Sequence, residues 1–502
     1  MSGLLPRLGV RGGLGKVYGA GMLSERRSPE IVPARVARLG AQRQGGSGAA
    51  SPTPVEGGSE QYLVPVRDGF ITIEVETPQG SFVRTIRPAT LLPEGVDRGP
   101  AAEAATRGAA ALYGLPDFVF HPALERRGPG VREIGDALLI AGRKGAAVQV
   151  KARQQTTDDP ERERSWLARK ATEGTRQATG TIRRLRYPQE TRLENVRGDI
   201  VSIWGRDISW VPVVVMEHPP PPEDLVLGRD AVILLRRDWE FLFEQLQSTV
   251  AVIDYLLRVA PMDPVALGME SLRYYELAQA DAAAVPTPAD PAFADLVMRD
   301  ESTPFLPLRP ANRSNLIRWI LEDVGEVPTA GLGEERARHR LAMLAAIDSA
   351  PIATREQMAE TILSWFEQVR LAPPEAVWWR FRHYLYFGRV HLIVGVTNQN
   401  REEMREAFGH LVRLRHMERG ERSLAQAELM TVGVLLQPRD DGRRPWDTTA
   451  GMVEGVVTLE PEERGIALRI WGSIAEAVRR GEAANPDDPF ARAQANTDES
   501  PG

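Results

Sequence analysis

The sequence predicts an α/β core, a mixed sheet flanked by helices, followed by a mostly helical region and a C-terminal α+β region. Three observations predict it. An apolar hairpin pattern covers 136–151, and a long helical period follows directly over 161–186. Beyond Ala260 the chain turns to helical periods broken by proline clusters, and then to alternating strands and helices. At 502 residues the length allows two to four domains, and 42% hydrophobic residues suffice for packed cores.

Composition excludes several chemistries. The chain has no cysteine, so disulfides, thiolate zinc sites, iron–sulfur clusters and a cysteine nucleophile are ruled out. With seven histidines and no His-Glu-x-x-His run, a zinc hydrolase is not expected. No apolar run approaches the roughly eighteen residues that a membrane span needs, so no membrane partner and a cytoplasmic location are expected.

From the N-terminus, residues 1–58 are rich in Gly, Ser, Pro and Arg, lack periodicity, and are expected to be disordered. Gly12-Gly13-Leu14-Gly15-Lys16 is no phosphate loop, because Val17 follows the lysine and no strand precedes it. Within 61–90, Phe70 to Glu76 and Ser81 to Ile86 alternate around a Thr-Pro-Gln-Gly turn. This is a β-hairpin, either an accessory module or an extension of the main sheet. The alanine-rich stretch Ala101 to Leu112 has high helix propensity and carries Glu103.

Next comes the hairpin. Ala137 to Ala141 and Ala146 to Lys151 are apolar runs separated by Gly142-Arg143-Lys144-Gly145, read as a four-residue loop. In that register Ala141 faces Ala146, Leu138 faces Gln149 and Asp136 faces Lys151. Facing residues share a side of the sheet, as do residues two apart on one strand, so Asp136, Gln149 and Lys151 converge. A one-residue slip would destroy the arrangement. A carboxylate and an amide are hard oxygen ligands suited to Mg²⁺, and a lysine beside them can hold a water or stabilise charge growing on a phosphate. The plain alternative is that Asp136 caps a strand end and Lys151 is a solvated edge charge.

These residues resemble the PD-(D/E)XK nuclease superfamily, whose fold is restriction-endonuclease-like, in the variant where glutamine replaces the acid: here Gln149-Val150-Lys151. The resemblance covers roughly 100–260. It implies a metal-dependent phosphodiester hydrolase, a DNA endonuclease of restriction or defence type, using Mg²⁺ (or Mn²⁺). It implies Asp136, Gln149, Lys151 and Glu103 as the catalytic set, with Asp136, Glu103 and Gln149 around the metal. Glu125 and Glu133 compete with Glu103 as the completing acid. A superfamily lysine or glutamine on the following helix implies Lys170 and Gln177 near the site. DNA is favoured over RNA as partner, and a homodimer is a superfamily habit. The replaced acid leaves an alternative, a catalytically inactive module that binds nucleic acid or scaffolds.

That following stretch, Glu161 to Arg186, reads as a helix with an apolar stripe of Leu167, Ala171, Gly174, Ala178, Ile182 and Leu185, and its neighbouring stripe carries Trp166, Lys170, Glu173, Gln177 and Arg184. The formal charge of the chain is −6, yet residues 143–192 hold 13 basic against six acidic side chains. A local basic stripe suits a phosphate backbone, with Arg153, Arg169, Arg176 and Arg184 joining Lys170 and Gln177 as candidate contacts. Ile208 to Met216 reads as a buried strand, with Pro212 arguing for an edge or bulge, and Pro219 to Pro222 as a stiff connector. Asp238 to Val259 reads as one amphipathic helix.

Residues 261–372 are expected to be helical, and 373–481 to form an α+β domain that selects a target or binds a protein partner. Its expected elements are a helix over Glu375 to Phe387, strands at His391 to Thr397, Leu429 to Leu436 and Met452 to Leu459, and helices at Arg401 to Glu418 and Glu462 to Arg480. Trp378, Trp379, Arg380, Arg382, His383 and Tyr384 form an aromatic and basic cluster that stacks on bases or packs as core, core being preferred. Arg443 to Thr449 reads as a polar loop with Trp446 as anchor, and 482–502 as a disordered tail.

Overall fold

The computed structural model describes residues 36–37, 70–77, 80–121, 123–127, 130–187, 190–218, 222, 224–283, 314–326, 333–373, 377–386, 390–421, 429–439 and 444–473. The N-terminal glycine-rich stretch apart from 36–37, the connector prolines apart from Pro222, and the C-terminal tail lie outside them.

Strands β1 (Val36–Ala37), β2 (Ile71–Thr77) and β3 (Gly80–Ile86) form an antiparallel sheet of their own. The hairpin expected at 70–86 is therefore an accessory module, anchored by buried Ile73 and Ile86. Helix α1 (Arg98–Tyr113) starts where the Asp97 side chain accepts from the Gly99 amide, and buries Ala101, Ala102, Ala109 and Ala110.

The central sheet comprises β4 (Val119–Phe120), β7 (Ala137–Ala141), β8 (Lys144–Ala152), β11 (Ser209–Glu217) and β12 (Val232–Leu235), in the order β12-β11-β8-β7-β4. The strands β4, β7 and β8 are antiparallel neighbours, and β8, β11 and β12 run parallel. Two side hairpins branch from it: β5 (Ala123–Arg127) with β6 (Gly130–Ile134), and β9 (Thr191–Glu194) with β10 (Ile200–Ile203). Helix α2 (Pro160–Arg186) crosses from β8 to β11 on one face. Helix α1, with α3 (Arg236–Leu246) and α4 (Thr249–Val259), covers the other, where Val148, Val150, Val213 and Val215 meet Trp239 and Ile253. The expected stripe of α2 is buried as expected. Mixed sheets flanked by helices thus hold, as the sequence implies.

Several expectations are corrected. The β7–β8 turn has two residues, not four: Ala141 pairs with Lys144 and Ala137 with Val148. Gly142 takes φ 59°, the left-handed backbone that the first position of such a turn can require and glycine supplies. Pro212 lies in an interior strand, but β12 pairs only with Val213 to Met216, so the proline is open on that side. The single helix expected at 238–259 is two, because Gln247 adopts a left-handed conformation (φ 46°) and the Ser248 hydroxyl caps α4 at the Ala251 amide.

The helical region contains α5 (Glu270–Ala283), α6 (Ser314–Glu326), α7 (Gly333–Asp348) and α8 (Ile352–Leu371). A second sheet then follows, built of β13 (Trp379–Tyr386), β14 (Val390–Thr397), β15 (Met430–Pro438) and β16 (Trp446–Glu454) in sequential order, with α9 (Glu402–Gly420) and α10 (Pro461–Trp471) on one face. Within the stretch expected as a helix at 375–387, residues 379–386 form strand β13, since alternate aromatic residues suit a pleated, half-buried surface. Trp379 and Phe381 stack edge-on against Trp471, so the aromatic cluster is core. Strand β16 lies earlier than the expected 452–459 and takes in Trp446 to Thr449, and α10 ends at Trp471. Helix α6 joins the two units: Arg444 holds Asp323 at 2.6 Å and Glu322 at 2.7 Å, and the Trp446 indole donates to Asp323 at 3.0 Å.

Candidate active site at the parting of β7 and β8

Strand β7 ends where Ala137 pairs with Val148, whereas β8 runs on to Ala152. Beyond that point the β7 side of β8 is an open edge, and Asp136 stands at its start. The Asp136 amide donates to the Val148 carbonyl at 3.2 Å. Its carboxylate turns along the edge and accepts from the Val150 amide at 2.6 Å, extending the ladder by one side-chain bond. Its carbonyl accepts from the Arg107 guanidinium of α1 at 2.8 Å.

Continuing the observed register puts Asp136 across from Gln149 and diagonal to Lys151, two residues from the expected pairing. Because side chains alternate with period two, a shift of two leaves all three residues on the same face. That face is the one covered by α2. Gln149 is only 4% exposed, and its amide nitrogen lies 3.4 Å from the Val148 carbonyl. The Lys151 side chain passes over Gly174 of α2. A Cβ there would lie 2.8 Å from Val214 and 3.5 Å from the Lys151 Cε, so glycine is what permits the close approach.

Helix α2 completes the site on its side. The Glu173 carboxylate binds the Lys170 ammonium at 2.7 Å and faces that of Lys151 at 3.9 Å. The hydrogen bond from Lys170, aided by the charges of Lys170, Lys151 and Arg176, holds the Glu173 carboxyl below the usual range. One turn on, the Gln177 side-chain oxygen is buried without a hydrogen-bond partner among the described residues. On α1, half-buried Glu103 lies one turn before Arg107, so the two share the face that reaches Asp136. Competitors Glu125 and Glu133 lie on the separate β5–β6 hairpin.

Sequence reasoning missed Arg107 and Glu173 as site members. The signals were their helical spacings, four residues after Glu103 and three after Lys170. Arg153, expected as a nucleic-acid contact, is held by buried Glu163 at 2.8 and 3.1 Å and lies 5.1 Å from the centre of the Trp166 ring. His218 and Thr157 also bind Glu163, at 2.8 Å each, and these hydrogen bonds, that of Arg153 foremost, hold its carboxyl far below the usual range despite burial. Lys170 is engaged by Glu173, Arg184 is half-buried, and Arg169 and Arg176 are exposed.

Among the described residues no group of three or more His, Cys, Asp or Glu side chains is gathered to hold a metal. No described helix is long and apolar enough to cross a membrane. No family model, no curated protein and no solved structure matches this chain.

Proposed function

We propose that the chain is a metal-dependent phosphodiester hydrolase acting on nucleic acid, with DNA the favoured substrate and a PD-(D/E)XK-like core formed by α1, β4, β7, β8, α2 and β11. The observation that carries this reading is the meeting of Asp136, Gln149 and Lys151 on one face where β7 and β8 part. The donor chemistry suits Mg²⁺ (or Mn²⁺). Such an ion needs only one or two carboxylates, keeps several waters and takes further oxygens from phosphate, so the absence of a larger cluster among the described residues is no obstacle. Asp136 and Glu103 would hold it, with Gln149 in the place of the second acid. When bound, it polarises the scissile phosphate and lowers the pKa of the attacking water.

The chain's own residues have distinct tasks. Asp136 is fixed by the Val150 amide and by Arg107, so its carboxylate is aimed before substrate arrives. Lys151 holds the attacking water or meets the charge growing on the phosphate oxygens. Glu173 offsets the repulsion between Lys151 and Lys170.

The test is incubation of the protein with plasmid and with RNA in Mg²⁺ or Mn²⁺, beside Asp136→Ala and Lys151→Ala. Cutting should fall at least about 100-fold in each variant, the usual effect of deleting one transition-state contact. Undiminished cutting in both removes this site from consideration. Wild-type protein that binds but never cuts points to the inactive binding module, which the neutral Gln149 favours, an amide being a weaker Mg²⁺ ligand than a carboxylate.

A further inference from the structure

We infer that the outer face of α2 is a docking track for the phosphodiester backbone of a nucleic acid, separate from the Asp136–Lys151 site. Arg162, Arg169, Arg176 and Arg183 recur every seven residues along this helix, and all four are exposed. A seven-residue repeat turns only about 20° per step, so they form one stripe. Successive positions are spaced about 10 Å along the helix axis, and the stripe runs for roughly 30 Å, the length of about nine base pairs of duplex.

Among the described residues none of these four guanidinium groups has an ion pair or a hydrogen bond, whereas arginines elsewhere, such as Arg197, Arg236 and Arg273, are bound to carboxylates. Among the described residues the acids of α2 form no ion pair with the stripe. Glu163 is buried against Arg153 and His218, Glu173 pairs with Lys170 and faces Lys151, reaching Arg176 only through space, and Glu161 lies 3.8 Å from Arg164. Beneath Arg176 and Arg183, the helix and the loop at 226–230 border a cleft lined by Thr175, Thr179 and Arg186, with Asp230 as its one acid. Just past the helix, Tyr187 is 91% exposed, a ring on which a base can stack. Four arginines without an ion pair, held in line by one helix, fit a regular polyanion, and the hydroxyl groups below them fit phosphate oxygens.

This inference deepens the functional reading by giving the nucleic acid a contact surface, but it is measured without metal and without cutting. Binding of labelled duplex and single-stranded oligonucleotides is titrated from 50 to 200 mM salt, using the full chain, the quadruple Arg→Gln and quadruple Arg→Lys variants at these positions, and Asp136→Ala. Four phosphate contacts contribute about −3.6 to the slope of log affinity against log salt for duplex and about −2.8 for a single strand. For duplex that is roughly a 150-fold loss over the range. The glutamine variant should lose that part of the slope, and the lysine and Asp136→Ala variants should keep it. A slope unchanged in the glutamine variant, or no binding of either oligonucleotide by the wild-type chain, overturns the inference. Failure of cutting alone bears on Asp136 and Lys151, not on this track.

Discussion

Replacing Asp136 separates its structural role from its proposed chemical one. Its carboxylate accepts from the Val150 amide at 2.6 Å, on an edge that β7 no longer covers. A hydrogen bond to a charged group contributes about 1.5–3 kcal/mol, and half-burial places this one at the low end. Asp136→Ala leaves the Val150 N–H without its acceptor and should destabilise the fold by about 1.5–2 kcal/mol. Asp136→Asn keeps an acceptor oxygen and loses only the charge, so its cost should stay below about 1 kcal/mol. The backbone bond from Arg107 survives in both. Stability is read as the shift of the urea midpoint at unchanged m, and amide hydrogen exchange at Val150 reports the bond directly. Both variants should lose metal-dependent cutting alike, so stability and activity part company in the asparagine variant. Equal stability of the two variants, with Val150 equally protected in both, would refute the reasoning.

Two further outcomes follow from buried ionisable groups. His383 and His391 stack in the second sheet with a 2.9 Å bond between ring nitrogens; burial and the Arg415 charge push His383 down to about 3, and burial beside His383, Arg419, Arg415 and His416 pushes His391 well below its usual value. Both folded values lie below the unfolded one near 6.5, so the unfolded chain takes up protons first: stability is full above about pH 6.5 and falls as pH drops from there toward 3, by up to about 1.4 kcal/mol per pH unit for each group. Urea midpoints from pH 7.5 to 5 should show this slope, flattened in His383→Gln/His391→Gln; an identical slope in the double variant counts against it. Glu163→Ala strands Arg153 and His218 without their shared carboxylate and should cost about 3–5 kcal/mol, measured by the same denaturation, whereas a loss under about 1 kcal/mol would show that water replaces the carboxylate freely.

Much of the central sheet was legible from local pattern. The apolar runs 137–141 and 146–151, the alanine-rich α1 and the three-and-four spacing of α2 each encode an element within a short window, and each is present. The parity of Gln149 and Lys151 on β8 was legible as well, since a two-residue change of register preserves which face a side chain takes. Local pattern misled where one window suits two periods. The 375–387 stretch satisfies a helical reading, yet pairing with β14 makes 379–386 a strand, and 238–259 runs as one amphipathic period although Gln247 and Ser248 break it. What only the tertiary structure decided are contacts between residues far apart in sequence. Arg107 reaches Asp136, Glu173 reaches Lys151 across the close approach at Gly174, and Arg153 turns away to Glu163. Sequence period fixes which way a side chain points along its own element, but the partner it meets depends on how elements pack. The types and order of the candidate residues were therefore written in the sequence, while the side chains each of them meets were decided by the packing of α1 and α2 against the central sheet.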